Sequence, residues 1–156
     1  MLKSSFAALV ALVPTVLAAQ TGTALAAVDF NTAPLTRGTW SYHSMPGGSA
    51  ARFVDTTGTA RLAIECNRAT RRVTIARTTS IAAPSILVWT SVASRTLPAR
   101  FEPNARRVSA EIAASDALLD AIAFSRGRIA VTMEGVELLV MPAWPEPART
   151  IEDCRI

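Results

Sequence analysis

The hydrophobic pattern divides the chain into an apolar N-terminal stretch and a longer region of short alternating segments. Residues 6–19 form a nearly continuous apolar run of secretory h-region length, which follows a single lysine and is too short to span a membrane. Small residues two positions apart before Ala27 satisfy the A-x-A rule for cleavage. We therefore predict a signal peptide over residues 1–26 and export to the periplasm or the cell exterior. Cleavage after Ala18 or Ala19 is the alternative.

Past this leader, the pattern first lacks any period and then alternates with a period of two. Residues 27–38 are predicted to be a flexible lead-in, and residues 39–156 a single β-rich domain. Turn residues separate the alternating stretches, which is typical of short antiparallel strands. The stretches are Trp40 to Ser44, Ala51 to Val54, Arg61 to Cys66, Val73 to Ile75, Ile86 to Val92, Thr96 to Phe101, Arg107 to Ile112, Arg128 to Glu134 and Val136 to Met141.

For two of these stretches, the residue types predict whether the strand lies in the centre or at the edge of a sheet. Ile86 to Val92 is apolar on both faces and rich in β-branched residues, which favours a central, well-covered strand. Thr96 to Phe101 is predicted to be its neighbour. Because proline cannot donate a hydrogen bond to a neighbouring strand, Pro98 confines that neighbour to an edge of the sheet.

The period changes to a helical one after residue 114. Apolar residues recur at helical spacing from Asp116 to about Arg126, with Ser115 as the predicted N-cap and Gly127 as the left-handed stop. A second short helix is predicted to begin at Pro145, where the missing N–H costs nothing. This second helix is expected to bury Ala148 and Ile151 and to bring Cys154 back to the sheet.

From these nine stretches we expect about seven or eight antiparallel strands, together with two short helices. Such a set is typical of a mainly β fold, here a small antiparallel β-sandwich or a flattened barrel. The length of 156 residues and the hydrophobic fraction of 50% suit one compact domain and argue against a disordered chain. We expect no transmembrane segment in the mature chain.

The chain contains two cysteines, Cys66 and Cys154. In an oxidising compartment they allow one intramolecular pairing, and we predict a structural disulfide between an early strand and the C-terminus. A metal pair or a reactive thiol is the alternative. Neither has supporting neighbours, because the sequence holds a single histidine and no C-x-x-C motif. No metal or cofactor is expected.

The C-terminal third carries a resemblance to known proteins. Residues 115–128, the segment Pro142-Ala143-Trp144-Pro145-Glu146 and residues 151–155 resemble a group of uncharacterised exported proteins of high-GC Gram-negative bacteria. More distantly, the order of helix, glycine, strand pair, short helix and final cysteine is similar to the invasion-associated locus B family. That family implies a periplasmic β-sandwich. Two cysteines are fewer than its two-disulfide pattern requires, and neither resemblance supplies catalytic residues.

Arginine dominates the basic residues: 15 of the 16 are Arg and the only Lys is Lys3. The guanidinium fork suits phosphates and carboxylates, so an exported surface of this kind can contact an anionic envelope component or an envelope protein. Coding bias in a GC-rich genome explains the same excess through ordinary solvated arginines. Nucleic acid is not an expected partner, because the mature net charge is only +3, from 15 basic and 12 acidic residues. The candidate contact residues are Arg68, Arg71, Arg72, Arg126, Arg128 and Trp144, with Arg106 and Arg107 as a further pair.

Catalytic constellations are sparse. His43 is the only imidazole, so any Ser-His-Asp or Cys-His device must use it, and the following Gly47-Gly48 loop matches no nucleophile or phosphate motif. The carboxylate pairs are Glu152 with Asp153, Glu134 with Glu137, and Asp116 with Asp120. Adjacent residues of a helix point in different directions, and solvated helix-face charges explain the last pair. We therefore predict no enzyme.

Two idiosyncratic segments allow a structural interpretation as well. Pro142 and Pro145 frame Trp144, so its ring is expected to pack against the sheet, as large aromatic residues usually do. Arg126 or Arg128 is a candidate for a buried ion pair with Glu146 or Glu152. Each of these interpretations competes with a role in partner contact.

Three function classes follow from the sequence. The first is an exported, non-catalytic binding or structural module of the envelope. The second is a periplasmic inhibitor of a protease or lysozyme, with the Gly47-Gly48 loop or the N-terminal lead-in as the inhibitory element. The third is a cryptic hydrolase that uses His43.

Overall fold

The computed structural model describes residues 29–156, so the predicted signal peptide and its cleavage before Ala27 lie outside the described residues. Within them, alternating segments separated by turn residues form ten strands. These are β1 (Gly38–Met45), β2 (Gly48–Asp55), β3 (Ala60–Asn67), β4 (Arg72–Thr78), β5 (Ser85–Trp89), β6 (Ser94–Pro98), β7 (Arg100–Glu102), β8 (Arg107–Ala113), β9 (Arg128–Met133) and β10 (Val136–Pro142). Two helices complete the fold, α1 (Ala117–Ala123) and α2 (Pro145–Asp153).

The strands form two antiparallel sheets. Sheet A has six strands in the order β1-β2-β3-β4-β8-β7, and sheet B has four in the order β10-β9-β5-β6. The predicted mainly β fold with two short helices is confirmed. Of the two predicted architectures, the described residues form the β-sandwich and not the flattened barrel, because the two sheets do not close onto each other.

The core lies between the inner faces of the two sheets. Alternate residues of each strand point inward, as the period of two requires, and the inward side chains of both sheets are almost completely buried. From sheet A they include Phe53, Leu62, Ile64, Val73 and Ile75, and from sheet B Ile86, Val88, Val131, Leu139 and Met141. β5 lies between β9 and β6, which confirms the predicted central strand.

The segment around Pro98 differs from the prediction. It was expected to be one strand, but it forms two: β6 pairs with β5 at the edge of sheet B, and β7 pairs with β8 at the edge of sheet A. Leu97 is buried, and Ala99 and Phe101 pack against the same core. Because alternate residues face the core in both layers, the alternation continues while the chain passes from one sheet to the other. The edge position of Pro98 is confirmed.

Helix α1 is shorter than predicted. Its N-cap is Asp116 rather than Ser115, since the Asp116 carboxylate accepts a hydrogen bond from the Leu118 backbone N–H at 2.8 Å. The helix ends at Ala123 instead of continuing to Arg126. The Ser125 hydroxyl donates to the Arg128 carbonyl at 2.7 Å and thereby turns the chain out of the helix before Gly127, whose φ is +80°.

Helix α2 begins at Pro145, as predicted, and packs on β1, β2 and β3 beside sheet B. Pro147, Thr150 and Ile151 are buried, whereas Ala148 is only half-buried. The helix is followed directly by Cys154, which lies at disulfide distance from Cys66 with the two Cα atoms 5.4 Å apart. The second layer of the sandwich therefore consists of sheet B and the two helices.

The described part of the lead-in lies on sheet B. The ring of Phe30 is 5.6 Å from that of Trp89, and the Thr36 backbone N–H donates to the Val140 carbonyl at 2.7 Å. The Arg128 guanidinium donates to the Ala33 carbonyl at 2.5 Å. These contacts cover the free edge of β10, where an exposed strand would otherwise invite pairing with another chain.

The two helices were also compared with the requirements for crossing a membrane. Among residues 29–156, neither helix has the length and hydropathy that crossing a bilayer requires.

Candidate functional site

The predicted contact residues fall into two groups at opposite ends of α2. Arg68 lies at the C-terminal end, where its Nε donates to the Asp153 carbonyl at 3.2 Å, and Arg71 and Arg72 belong to the same β3–β4 hairpin. Trp144 caps the N-terminal end. The nine residues of α2 separate the two groups by about 12 Å, so the six residues do not form one surface.

Carboxylates neutralise most of the hairpin group. Arg72 pairs with Glu111 at 3.0 Å, and Arg68 lies 4.0 Å from Asp153. A cavity of about 540 Å³ beside the disulfide is lined by Arg71, Arg72 and Arg155, among others, but Arg155 pairs with Asp120 at 2.7 Å and Glu152 at 3.1 Å. On the outer face of sheet A, Arg107 is held between Glu65 and Glu102. These arginines mainly stabilise the protein's own acidic groups.

The predicted ion pair of Arg126 or Arg128 with Glu146 or Glu152 is wrong. Glu152 pairs with Arg155, and Arg128 donates to main-chain carbonyls of the lead-in instead of to a carboxylate. Arg126 is exposed, and its backbone N–H donates to the Ser91 hydroxyl at 2.8 Å. The pair fails because Arg155 binds Glu152 and the lead-in carbonyls bind Arg128, and sequence spacing does not reveal either contact.

This difference in contacts predicts that replacing Arg128 and replacing Arg126 change the free energy of unfolding by different amounts. Arg128→Ala is expected to lower the free energy of unfolding by about 1.5 kcal/mol, because it removes charge-assisted hydrogen bonds that attach the lead-in. Arg126→Ala is expected to change it by less than about 0.5 kcal/mol, as for other exposed side chains. Urea denaturation of both variants checks the prediction, and equal losses would contradict it.

Three connections between elements present an exposed surface that we call the apolar tip: Val92 between β5 and β6, Phe124 and Arg126 between α1 and β9, and Trp144 between β10 and α2. Val92 and Phe124 are each 73% exposed, and Trp144 is 42% exposed. The two framing prolines had suggested that the Trp144 ring packs against the sheet, but it does so only in part. The reason is that α2 begins at Pro145 and leaves its cap residue at the surface.

Hydrogen bonds hold the loops of the apolar tip together. The Ser91 backbone N–H donates to the Ser125 hydroxyl at 3.0 Å, and the Arg126 N–H donates to the Ser91 hydroxyl. The Ala143 N–H donates to the Gly127 carbonyl at 3.2 Å, which places Trp144 one residue beyond this turn. The apolar side chains are thus displayed on fixed backbone.

His43 lies on the exposed surface of the edge strand β1. Its Nε2 is 2.9 Å from the Ser41 hydroxyl, and its register neighbour on β2 is Ala50, followed on β3 by Glu65. Two strand spacings, about 10 Å, separate His43 from that glutamate, which is too far for a direct hydrogen bond. The loop predicted around Gly47-Gly48 is a two-residue turn of Pro46 and Gly47, since β1 extends to Met45 and β2 begins at the buried Gly48.

The carboxylates of the predicted pair Glu152 and Asp153 do not converge either. Asp153 accepts a hydrogen bond from the Tyr42 hydroxyl at 2.5 Å, while its neighbour Glu152 pairs with Arg155. Burial raises the pKa of Asp153, but the hydrogen bond from Tyr42 and the positive charges of Arg68 and Arg149 contribute in the opposite direction, and that pKa lies below its ordinary value. Among residues 29–156, no group of three or more His, Cys, Asp or Glu side chains is placed to hold a metal ion.

Sequence reasoning did not identify a pocket at the end of the sandwich, near the β9–β10 turn. This end pocket has a volume of about 720 Å³. Its lining includes Asp55, Thr57, Thr59, Arg61, Arg77, Thr78, Thr79, Ser80, Ala105, Arg106 and Val136. It combines three arginines with five hydroxyl side chains.

Arg77 is the unusual member of this lining. It occupies an inward position of β4 and is 1% exposed. Its Nη1 donates to the Arg61 carbonyl at 2.8 Å and its Nη2 to the Glu137 carbonyl at 3.4 Å, while its Nε has no hydrogen-bond partner among the described residues. Burial lowers the pKa of Arg77 to about 10; the Arg61 charge adds to this, and Glu137 and Asp55 oppose it.

The other charged groups of the end pocket are paired with one another. Arg61 donates to Asp55 at 3.1 Å and to Glu137 at 3.0 Å. A hydrogen bond from Thr57 is the largest cause that holds the pKa of Asp55 well below its usual range. Both carboxylates are thus engaged by Arg61, and no carboxylate within residues 29–156 forms an ion pair with Arg77.

Comparison with known proteins adds no further assignment: no protein-family model, curated protein or solved structure matches the chain. The candidate sites therefore rest on the geometry described above.

Proposed function

We propose that this protein is an exported, non-catalytic binding module of the cell envelope that docks on an anionic lipid surface through the apolar tip. The observation that carries the proposal is the pair of apolar residues, Val92 and Phe124, each of which adjacent loops leave 73% exposed to solvent. Exposed apolar side chains that group together and are rimmed by polar groups are typical of interaction sites.

The composition of the apolar tip favours a lipid partner. Phe124 and Val92 supply side chains that gain free energy on leaving water, about 1.5–3 kcal/mol for a fully buried large one. Trp144 has the amphipathic ring that is enriched at membrane–water interfaces. The hydrogen bonds of Ser91 and Ser125 fix the loops in advance, so docking does not have to order them.

The charge of the apolar tip favours an anionic surface. Arg126 is exposed, and within residues 29–156 its side chain takes part in no ion pair. A basic residue close to an anionic bilayer contributes about 1 kcal/mol to binding. The predicted leader supports the proposal as well, because an exported chain meets such surfaces.

Co-sedimentation with vesicles tests the proposal, using protein recovered from the periplasmic fraction so that no leader contributes. We expect binding to vesicles that contain phosphatidylglycerol and at least tenfold weaker binding of the double variant Val92→Ser, Phe124→Ser, from the lost burial of two side chains. Arg126→Ala is expected to weaken binding several-fold and to reduce its salt dependence.

Ile81→Ser is the matched control. Ile81 is 46% exposed, yet it lies beside Gly135 in the β9–β10 turn, away from the apolar tip. Its variant is expected to bind vesicles as the unaltered protein does. Failure of the unaltered protein to sediment with anionic vesicles, or undiminished binding of the double variant, would refute the proposal.

A further inference from the structure

The end pocket and the apolar tip lie at opposite ends of the β9–β10 hairpin. Glu137, whose carbonyl accepts from Arg77, stands near the start of β10, and Pro142 stands at its end. Five residues of extended strand correspond to roughly 17 Å. The end pocket is therefore separate from the surface that we propose for membrane docking, and its chemistry is independent of that function.

We infer that the end pocket is a binding site for the phosphate group of a small molecule, with Arg77 and Arg106 as the cationic groups that hold it. The first reason is the uncompensated charge of Arg77. An ionised side chain removed from water is costly unless it is paired, yet this guanidinium is 1% exposed and its hydrogen bonds go to three neutral main-chain carbonyls, of Arg61, Thr78 and Glu137.

The second reason is the free donor capacity that the end pocket collects. The Nε–H of Arg77 has no acceptor among residues 29–156. The Thr79 hydroxyl oxygen accepts from the Ile81 backbone N–H at 3.0 Å, which leaves its O–H free to donate. Ser80 adds a second hydroxyl to the same wall. Phosphate accepts several hydrogen bonds at once, and guanidinium favours it through charge-assisted bonds.

The third reason is the balance of charge around the end pocket. Three guanidinium groups, from Arg61, Arg77 and Arg106, face two carboxylates, from Asp55 and Glu137, and both carboxylates are bound to Arg61. The five charged groups together therefore carry a net charge of +1, and neither Arg77 nor Arg106 is bound to one of the two carboxylates. The volume of about 720 Å³ is in the range of small-molecule sites, and therefore admits the rest of a phosphorylated ligand.

A competing explanation is that Arg77 only joins the two sheets, since two of its carbonyl partners lie on β3 and on β10. Calorimetric titration of the purified protein distinguishes the two, with inorganic phosphate, glycerol 3-phosphate and acetate as probes at constant ionic strength. We expect saturable binding of a phosphate compound and none of acetate. Tighter binding of glycerol 3-phosphate identifies an organic phosphomonoester as the ligand class, and tighter binding of inorganic phosphate identifies free phosphate.

Three single substitutions test whether phosphate binds in the end pocket. Arg77→Met keeps a buried unbranched side chain without the charge and is expected to weaken phosphate binding at least tenfold. Arg106→Met, in a solvent-facing turn, is expected to weaken it several-fold and keeps the test decisive if Arg77→Met does not fold. Arg100→Met, in an exposed position outside the end pocket, is the matched control and is expected to bind normally. Absence of saturable phosphate binding, binding of acetate alone, or unchanged binding by both pocket variants would overturn the inference.

Discussion

Replacing Cys66 and Cys154 together by alanine is expected to lower the free energy of unfolding by about 4–5 kcal/mol. The two cysteines are 88 positions apart, and cross-linking a loop of that length removes much of the conformational entropy of the unfolded chain. Domains of this size commonly have a total stability of only about 5–15 kcal/mol. The loss is therefore a large share of the total, and a marked drop in the urea midpoint is expected.

Reduction provides the control for the disulfide prediction. Dithiothreitol is expected to shift the unaltered protein toward the midpoint of the double variant and to leave the double variant unchanged. The same Cα separation of 5.4 Å places α2 against β3, so the variant is also expected to expose α2 to proteolysis first. A loss below about 1 kcal/mol would contradict the expected contribution of the cross-link.

Gly48→Ala is expected to destabilise the protein by about 3 kcal/mol or more, at the upper end for overpacking a well-packed position. A Cβ atom at Gly48 would lie 1.9 Å from the Cys66 carbonyl oxygen on the neighbouring strand β3. Gly48 pairs in register with Asn67, so the backbone can relieve the clash only by separating β2 from β3. Thermal unfolding followed by circular dichroism measures the effect.

The adjacent glycine is the matched control. Gly47 has a φ of +79°, and a Cβ there would meet no atom within 4 Å. Gly47→Ala therefore adds only the backbone strain of a left-handed conformation, about 1–2 kcal/mol. Equal destabilisation by the two substitutions would show that the close approach of β2 and β3 does not restrict position 48.

Alternation along the chain predicted the strands well because each strand has one face in the core. Leu62 and Ile64 share the buried face of β3 as expected, and β8 and β9 begin where they were predicted. Alternation does not, however, say which sheet a strand joins. The passage from β6 to β7 at Ala99 depends on pairing with β5 and with β8, which are distant contacts that no local pattern encodes.

The candidate sites were predicted less completely, for reasons that are also physical. The pattern indicated Arg126 and Trp144, but it assigned Val92 to a buried strand and Phe124 to a helix face, and both are exposed beyond the ends of those elements. Arg77 had a local signal that was not used. Val73, Ile75 and Arg77 are each two positions apart, so they lie on the same, inward face of the strand. An arginine on that face indicates a buried charge.

The two layers of the sandwich are interleaved along the chain. Sheet A is built from residues 38–78 and 100–113, and sheet B from residues 85–98 and 128–142. Neither layer can be completed from one continuous stretch, and β8 must return across the intervening segment to pair with β4. Such long-range pairing carries the entropy of loop closure before any contact repays it, which slows folding. During synthesis, sheet A therefore cannot be finished before residue 113 has been made, and sheet B cannot be finished before residue 142.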